Sequence, residues 1–371
     1  MTDCLIVGGG VIGLSLAYEL SCHGMSISLI DRTRPGNEAS WAGAGILPPA
    51  NRRTTADPLE QLRGLSYELH PVWAEQLLAR TGIDTGFRRC GGLYLARSVG
   101  EAASLAGFAQ MLRVSGIDIE RLPVGALDEL EPSLQPLTDD PSFRAAYLLG
   151  DEAQLRNPHH LRALVAACQQ LGVEIREGVE AIGLDVRENR LRRVETNTGP
   201  LVADQYCIAS GAWTFRLLES LGIRTGILPI RGQMVLFQCD RKPFQRVLNE
   251  GSRYVVPRDD GRVLVGSTEE EVGFDKSTTA EALSDLTHFG RSLAAPLRQA
   301  AIERSWAGLR PGTLDGLPYL GRISELDNAF VAAGHFRSGL QMSTGTAVVL
   351  GELIRGATPQ IDLGPFRVSR G

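Results

Sequence analysis

A glycine-rich turn near the N-terminus constrains this chain more than any other feature. The unbroken apolar run Cys4–Val7 predicts a buried parallel strand, and an apolar-periodic segment predicts a helix over Leu14–His23. Between them, Gly8, Gly10 and Gly13 have the spacing G-x-G-x-x-G. In a dinucleotide site the first glycine permits a tight turn, the second admits the pyrophosphate, and the third lets the helix pack on the strand. This segment therefore predicts the opening of a dinucleotide-binding fold.

An acidic residue narrows the identity of that dinucleotide. A second strand is predicted over Met25–Ile30, and Asp31 follows it. A carboxylate at this place accepts hydrogen bonds from ribose hydroxyls and disfavours a 2′-phosphate, which leaves FAD or NAD. Only one such fingerprint occurs, so two interpretations stay open: a flavin reduced directly by substrate, or an NAD dehydrogenase. A helix predicted to start at Gly339 favours the flavin, because its positive end would stabilise a reduced, negatively charged ring.

The composition is that of a soluble globular protein and excludes several partners. The chain has 371 residues, enough for about two domains, with 43% hydrophobic and 22% charged residues. A net charge of −5 provides no basic surface for nucleic acid, and no apolar run is long enough to span a membrane. No secretion signal precedes the first strand, and the six scattered cysteines lack a C-x-x-C pair. We therefore expect a cytoplasmic protein with buried free thiols and no metal site.

Later segments predict a second kind of sheet. Asn157 is predicted to cap a helix that begins there. The segments Gly232–Cys239, Arg253–Pro257 and Arg262–Ser267 alternate in polarity and are separated by turns, which predicts antiparallel pairing. Ala329–Ala333 then returns to a fully apolar strand.

The predicted fold class follows from this order of elements. It is α/β: a discontinuous, Rossmann-like FAD-binding domain with an inserted α+β substrate domain built on a largely antiparallel sheet. The expected boundaries are 1–84, 146–222 and 305–371 for the FAD-binding domain, and 85–145 and 223–304 for the substrate domain.

Several motifs together resemble one group of flavoproteins. Besides the N-terminal turn, they are residues 40–46 (S-W-A-G-A-G-I), 210–213 (S-G-A-W), 232–233 (G-Q), Tyr254 with Pro257, 306–312 (W-A-G-L-R-P-G) and 334–339 (G-H-F-R-S-G). The chain resembles the D-amino-acid-oxidase-type flavoproteins and, within that group, the glycine oxidases of thiamine biosynthesis. The resemblance spans nearly the whole chain. It implies bound FAD and oxidative deamination of a small amino acid to its imine, with oxygen reoxidising the flavin to give hydrogen peroxide.

The resemblance also implies which residues contact the cofactor. The flavin would be noncovalent, because Gly308 stands near the place of the flavin-linking cysteine of sarcosine oxidases. Ala181 is expected under the adenine. The other expected contacts are Gly8, Gly10, Val11, Ile12, Gly13, Asp31, Arg32, Ser40, Ala44, Gly45, Ile46, Gly211, His335, Phe336, Arg337, Ser338, Gly339, Leu340 and Gln341.

Three residues are expected at the substrate by the same resemblance. Arg310 matches the arginine that clamps the substrate carboxylate, and a planar guanidinium suits two oxygens. Tyr254 matches a tyrosine that helps to hold this carboxylate, and Arg337 matches a second arginine at the site. Two positions depart from the glycine-oxidase pattern: Ser252 stands where a histidine can occur, and Glu269 where a methionine can. The exact amine is therefore open.

The leading hypothesis is an FAD-dependent amino-acid oxidase acting on glycine, with sarcosine or small D-amino acids as further substrates. Its expected partners are a small amino acid and molecular oxygen, with no nucleic acid and no membrane span; a homo-oligomer is compatible with the sequence. One alternative is a related dehydrogenase that passes electrons to a quinone. A second alternative is a noncatalytic flavin-binding subunit of a larger complex, against which Arg310 and Tyr254 argue.

Overall fold

The computed structural model describes residues 2–123 and 125–370 and has an α/β architecture with mixed sheets, which confirms the predicted fold class. The strands, in chain order, are β1 (Cys4–Val7), β2 (Ile27–Asp31), β3 (Ile46–Leu47), β4 (Arg88–Arg89), β5 (Gly92–Ala96), β6 (Glu120–Arg121), β7 (Ala145–Leu149), β8 (Ala153–Gln154), β9 (Glu174–Glu177), β10 (Ala181–Arg187), β11 (Arg190–Thr196), β12 (Gln205–Ile208), β13 (Leu228–Gln238), β14 (Val247–Glu250), β15 (Arg253–Pro257), β16 (Arg262–Gly266), β17 (Ala301–Gly312), β18 (Tyr319–Arg322) and β19 (Ala329–Ala333). The α-helices are α1 (Val11–Cys22), α2 (Ala39–Ala42), α3 (Pro58–Thr81), α4 (Val99–Val114), α5 (Ala126–Leu130), α6 (Gln135–Thr138), α7 (Asn157–Gln170), α8 (Thr214–Glu219), α9 (Ala280–Leu293) and α10 (Ser343–Ile354).

A six-stranded sheet carries the predicted dinucleotide fingerprint. Its strand order is β18-β19-β12-β1-β2-β9, and every pair is parallel except β18 with β19. Helices α1, α3, α7 and α10 cover one face, while α8 and the β10–β11 hairpin cover the other. Because both faces are buried, the central strand β1 is apolar throughout, as the run Cys4–Val7 predicted.

An eight-stranded, largely antiparallel sheet forms the second layer. Its order is β17-β13-β16-β15-β14-β5-β7-β6, in which only β14 and β5 pair in parallel. Helix α9 packs on it through Leu286, Phe289 and Leu293 against inward side chains such as Val235 and Phe237. The antiparallel pairing predicted for 232–239, 253–257 and 262–267 is therefore present.

Two predicted domain boundaries fall inside strands of this second sheet. Strand β7 begins one residue before the boundary drawn at 145/146, and β17 begins at Ala301, before the boundary drawn at 304/305. Both strands pair with the eight-stranded sheet for their whole length. The sequence does not reveal this pairing, because short apolar runs alone do not indicate which sheet a strand joins. The division into two discontinuous domains stays a prediction.

Two other features of the chain concern its surface and its cysteines. None of the helices in the described ranges combines the length and hydrophobicity that a membrane crossing requires.

All six cysteines are free, but Cys22 is exposed and Cys90 is half-buried, so the expectation of buried thiols is wrong for these two. Cys22 is the last residue of α1, where the helix surface reaches solvent.

The glycine turn is held against the sheet by contacts that a side chain would prevent. Gly8 has φ +113°, and a Cβ there would lie 2.4 Å from the carbonyl oxygen of Ala209 on the neighbouring strand's end. A Cβ on Gly13 would lie 1.9 Å from the carbonyl oxygen of Gly8. Helix α1 can therefore approach β1 this closely only because position 13 has no side chain.

We predict that Gly13→Ala lowers both stability and dinucleotide affinity. The added methyl must push α1 away from the turn, which costs about 1–3 kcal/mol of unfolding free energy, and the displaced helix end should bind the dinucleotide at least about tenfold more weakly. Thermal unfolding and titration of the apoprotein measure the two effects. Gly107→Ala is the control, because Gly107 lies within α4 with no atom within 4 Å of its added Cβ. Equal behaviour of the two variants would contradict the prediction.

Candidate active site

A cavity of about 700 Å³ is lined by residues of both large sheets. Its wall contains all the residues expected from the sequence at the cofactor and the substrate, except Gly13. Gly13 lies behind the wall, where it packs on Gly8. The volume is in the usual range for small-molecule sites. Residues that are far apart in the chain are therefore assembled around one site.

One end of the cavity is formed by the N-terminus of α1. Gly10 is the N-cap residue, and the backbone N–H of Val11 donates to Ser40 Oγ at 2.9 Å. No acidic side chain stands in the first turn of this helix, so none of the helix's own residues neutralises its positive end. This end can therefore receive a phosphate group.

Asp31 has a structural task in addition to the one predicted from the sequence. Its Oδ2 accepts the backbone N–H of Gly9 at 2.8 Å, and its Oδ1 accepts the backbone N–H of Thr33 at 2.8 Å. The carboxylate also lines the cavity, as a ribose-binding residue would. The same side chain thus fixes the shape of the glycine turn, a contact that the motif alone does not reveal.

The cavity wall next to Asp31 contains a stacked cation. The guanidinium of Arg32 lies 3.7 Å from the ring centroid of Trp213, and it also pairs with Glu38 at 2.8 Å. Ala181, at the start of β10, and Gly211, in a 3₁₀ turn after β12, line the cavity as well. These residues can enclose the adenosine half of a dinucleotide.

The segment 335–341 forms the opposite wall, and here one prediction is wrong. The helix expected to start at Gly339 begins only at Ser343, because the chain first passes through a 3₁₀ turn at Phe336–Ser338. Phe336 has φ +48°, a conformation that non-glycine residues rarely adopt outside functional sites. The backbone of this turn, and not the first turn of α10, therefore faces the cavity.

His335 is buried at this wall, where its ring is a weak base. Its Nε2 lies 3.0 Å from the hydroxyl of Thr346. Burial lowers the pKa of His335 to about 3, so the ring is neutral at ordinary pH.

Arg310 lies over a glycine in the cavity wall. Strands β13 and β17 pair so that a Cβ on Gly232 would lie 2.1 Å from Nη1 of Arg310. The guanidinium donates from Nη2 to the hydroxyl of Ser267 at 2.6 Å and from Nη1 to the carbonyl oxygen of Thr268 at 3.1 Å. In the described part of the chain, these partners are neutral and no carboxylate forms a salt bridge with Arg310. The cavity therefore contains a half-buried cation whose charge is not compensated.

Tyr254 stands on the same wall. Its hydroxyl donates to the sulfur of Met234 at 3.4 Å, and Gly266 lies opposite both residues in the strand register. A Cβ at Gly266 would lie 2.4 Å from that sulfur and 2.8 Å from the tyrosine ring, so only glycine permits this packing. The ring of Tyr254 is thereby fixed beside the cavity. Tyr254 on β15 and Arg310 on β17 thus line the same cavity from different strands.

Arg337 lines the cavity but already has an anionic partner. Its Nη1 lies 2.7 Å from Oε1 of Glu269, and its Nη2 donates to the carbonyl oxygen of Ser252 at 3.0 Å. The two positions that depart from the glycine-oxidase pattern are thus the partners of this arginine. The second predicted arginine is present at the site, but its charge is compensated.

Sequence reasoning missed a buried carboxyl group behind the wall. Glu152 is fully buried and accepts hydrogen bonds from the Tyr94 hydroxyl at 2.6 Å and from Nδ2 of Asn249 at 3.1 Å. Tyr94 and Asn249 line the cavity, in register with Tyr254 across three strands. Burial raises the pKa of Glu152 to about 7, although both hydrogen bonds oppose that shift. Only pairing between distant strands creates this cluster, so no local motif indicates it.

The helix-capping role predicted for Asn157 is wrong. The N-cap of α7 is Arg156, and the Asn157 side chain does not cap the helix. Its Nδ2 donates instead to the carbonyl oxygen of Ser40 at 2.7 Å, and the residue lines the cavity. A long-range partner competes with the local one, because the asparagine amide can donate to a carbonyl oxygen or accept from a backbone N–H. Asn157 therefore holds α2, which contains Ser40.

Comparison with known proteins identifies the family. The sequence profile of the DAO family, described as FAD dependent oxidoreductase, matches residues 3–353. A glycine oxidase of Pseudomonas putida is 35% identical over 364 residues, covering 98% of this chain and 97% of that protein. A glycine oxidase of Pseudomonas aeruginosa is 33% identical over 363 residues, covering 98% and 97%. The crystal structure of glycine oxidase from Geobacillus kaustophilus matches with a TM-score of 0.93 and 32% identity, covering 100% of this chain and 98% of that one.

The chain belongs to the DAO family of FAD dependent oxidoreductases, and its cofactor is FAD. The resemblance to D-amino-acid-oxidase-type flavoproteins is confirmed, and so is the class of FAD-dependent amino-acid oxidoreductase. The relatives named above are glycine oxidases. The cavity fits the cofactor, since the N-terminus of α1 can receive a phosphate and the carboxylate of Asp31 lines the same cavity.

We predict that Glu152 makes stability fall as the pH rises. Its pKa is raised on folding from 4.5 to about 7, so the protonated group stabilises the fold below pH 4.5 and this contribution is lost up to about pH 7. Glu152→Gln removes the titration. The variant should therefore gain roughly 3 kcal/mol relative to the parent between pH 5 and pH 8.

Thermal unfolding of the holoprotein at several pH values measures this difference. Glu325→Gln, which changes an exposed carboxylate, should keep the parent's pH profile. A pH-independent difference between Glu152→Gln and the parent would contradict the prediction.

Proposed function

We propose that this protein is an FAD-dependent oxidase that deaminates glycine, and also accepts sarcosine or small D-amino acids. The products are the imine, which hydrolyses to the 2-oxo acid and ammonia, and hydrogen peroxide. The proposed setting is the cytoplasm, with noncovalent FAD, in the synthesis of the thiamine thiazole. Glycine oxidases at 33–35% identity over nearly the full length support this function.

One observation carries the proposal: the guanidinium of Arg310 lines the cavity, and its hydrogen-bond partners among the described residues are all neutral. Its guanidinium is held by Ser267 and Thr268, which use one hydrogen of each terminal nitrogen and leave other N–H groups free. A half-buried cation of this kind attracts an anion more strongly than one in open water. The carboxylate is the one group that all amino-acid substrates share, so Arg310 is the expected clamp.

The other residues of this wall orient the bound amino acid. Gly232 leaves the guanidinium the space that it occupies, and Tyr254 provides a hydroxyl whose sulfur acceptor is weak enough to be exchanged for a carboxylate oxygen. Holding the carboxylate at two groups restricts the α-carbon to one place in the cavity.

Hydride transfer requires no acidic or basic side chain at the substrate α-carbon. Bound FAD would supply the redox chemistry, as acceptor of a hydride from the substrate α-carbon and donor of the electrons to oxygen. Among the described residues of the cavity wall, the one histidine, His335, is neutral and is engaged with Thr346. The contribution of these residues is therefore to bind and orient the substrate.

Anaerobic bleaching tests the function directly. Purified yellow protein should lose its flavin absorbance when glycine is added without oxygen, and should regain it with hydrogen peroxide formation when air is admitted. Bleaching without reoxidation by air, but with reoxidation by a quinone, would indicate the dehydrogenase alternative. A flavin that no small amino acid bleaches would indicate the noncatalytic subunit.

We predict that Arg310→Lys raises the apparent KM for glycine at least about tenfold, because charge-assisted hydrogen bonds contribute roughly 1.5–3 kcal/mol and lysine lacks the planar fork. FAD content should be unchanged, which the absorbance ratio of the flavin to the protein measures. Arg304→Lys is the matched control, since Arg304 lies exposed on the same strand outside this cavity wall. A variant that oxidises glycine like the parent would exclude Arg310 as the carboxylate clamp.

A further inference from the structure

Two arginines of the cavity wall are held by three consecutive residues. Ser267 and Thr268 accept hydrogen bonds from Arg310, and the carboxylate of Glu269 pairs with Arg337. Because consecutive Cα atoms are about 3.8 Å apart, Ser267 and Glu269 lie within about 8 Å of each other. Both guanidinium groups therefore contact the same short segment of the cavity wall.

The segment that presents Glu269 is anchored on both sides. The hydroxyl of Thr268 accepts the backbone N–H of Gln233 at 3.0 Å. Glu270 exchanges backbone hydrogen bonds with Arg231 at 2.9 and 3.0 Å, and its carboxylate accepts from Nε2 of Gln233 at 2.8 Å. The backbone on either side of Glu269 is thus tied to β13, and its carboxylate is directed to Arg337 by a fixed support.

The two arginines differ in charge balance. Arg310 has neutral acceptors in the described chain, whereas Arg337 has a carboxylate at 2.7 Å. The side chains of Arg337 and Glu269 are 38% and 39% exposed, so the ion pair lies at the rim and contributes little to stability. Its main effect is local: one of two possible anion-binding groups is already neutralised.

We propose that Glu269 is a specificity-determining residue that restricts the site to ligands with one carboxylate. A second carboxylate near Arg337 would have to displace Glu269 and would meet its negative charge at short range. Removal of that charge converts Arg337 into a second anion-binding group. The inference rests on the proposed function in one respect, because it takes Arg310 as the anchor of the first carboxylate.

Ligand binding to the oxidised holoprotein tests this inference without turnover. Isothermal titration compares matched pairs of ligands: propionate with malonate, butyrate with succinate, and valerate with glutarate. In Glu269→Gln, at least one dicarboxylate should bind tenfold or more tightly than in the parent, while its matched monocarboxylate changes less than threefold. The pairs cover several spacings, so the distance between the arginines need not be assumed.

Two further variants separate the effect from general charge. Glu271→Gln makes the same change in net charge at an exposed residue two positions away, and it should leave both ligand classes unchanged. Adding Arg337→Gln to Glu269→Gln should abolish the gain for dicarboxylates. Equal tightening of both ligand classes, a gain that persists in the double variant, or no gain for any dicarboxylate would overturn the proposal. Failure of glycine to bleach the flavin would contradict the proposed function alone, since these titrations require no oxidation.

Discussion

The antiparallel pairing of β13 with β17 determines where the guanidinium of Arg310 meets the cavity. The register places Gly232 opposite Gly308 and Ile230 opposite Arg310 over two long strands. Each glycine admits a group from elsewhere: Gly232 leaves space for the Arg310 guanidinium, and a Cβ on Gly308 would lie 2.5 Å from the Cβ of Ala42. One strand pair thus positions the Arg310 guanidinium and admits α2 against the same wall.

Arginines around this cavity act differently because their partners differ. Arg258 is buried and donates to the carbonyl oxygens of Ala44 and Leu155 and to the side-chain oxygen of Gln154; burial lowers its pKa to about 10. It therefore holds the loop that contains Ala44. Arg310 has neutral partners but faces the cavity, and Arg337 at the rim has a carboxylate. The same side chain type thus fixes a loop, offers an anion site or is neutralised, depending on burial and on the nearest acceptor.

Predictions from the sequence succeeded where the determinants are local. The run Cys4–Val7 and the glycines after it are contiguous, so their strand, turn and helix could be predicted with boundaries wrong by only a few residues. The start of α10 could not, because glycines at 334 and 339 mark a turn without indicating how many residues it contains. Asn157 was misassigned for a related reason: its side chain can bond locally or to Ser40, and only packing selects the second.

The sequence by itself determined the dinucleotide fold, through a glycine spacing that leaves few alternatives, and it indicated Arg310, Tyr254 and Arg337 through motifs resembling a known family. The tertiary structure alone decided which of these groups carries an uncompensated charge. Strand pairing and turns bring distant residues together, so that Glu152 accepts a hydrogen bond from Tyr94 and Glu269 forms an ion pair with Arg337. Electrostatic interactions depend on distances between atoms in space and on their burial. A linear sequence specifies neither until the chain has folded.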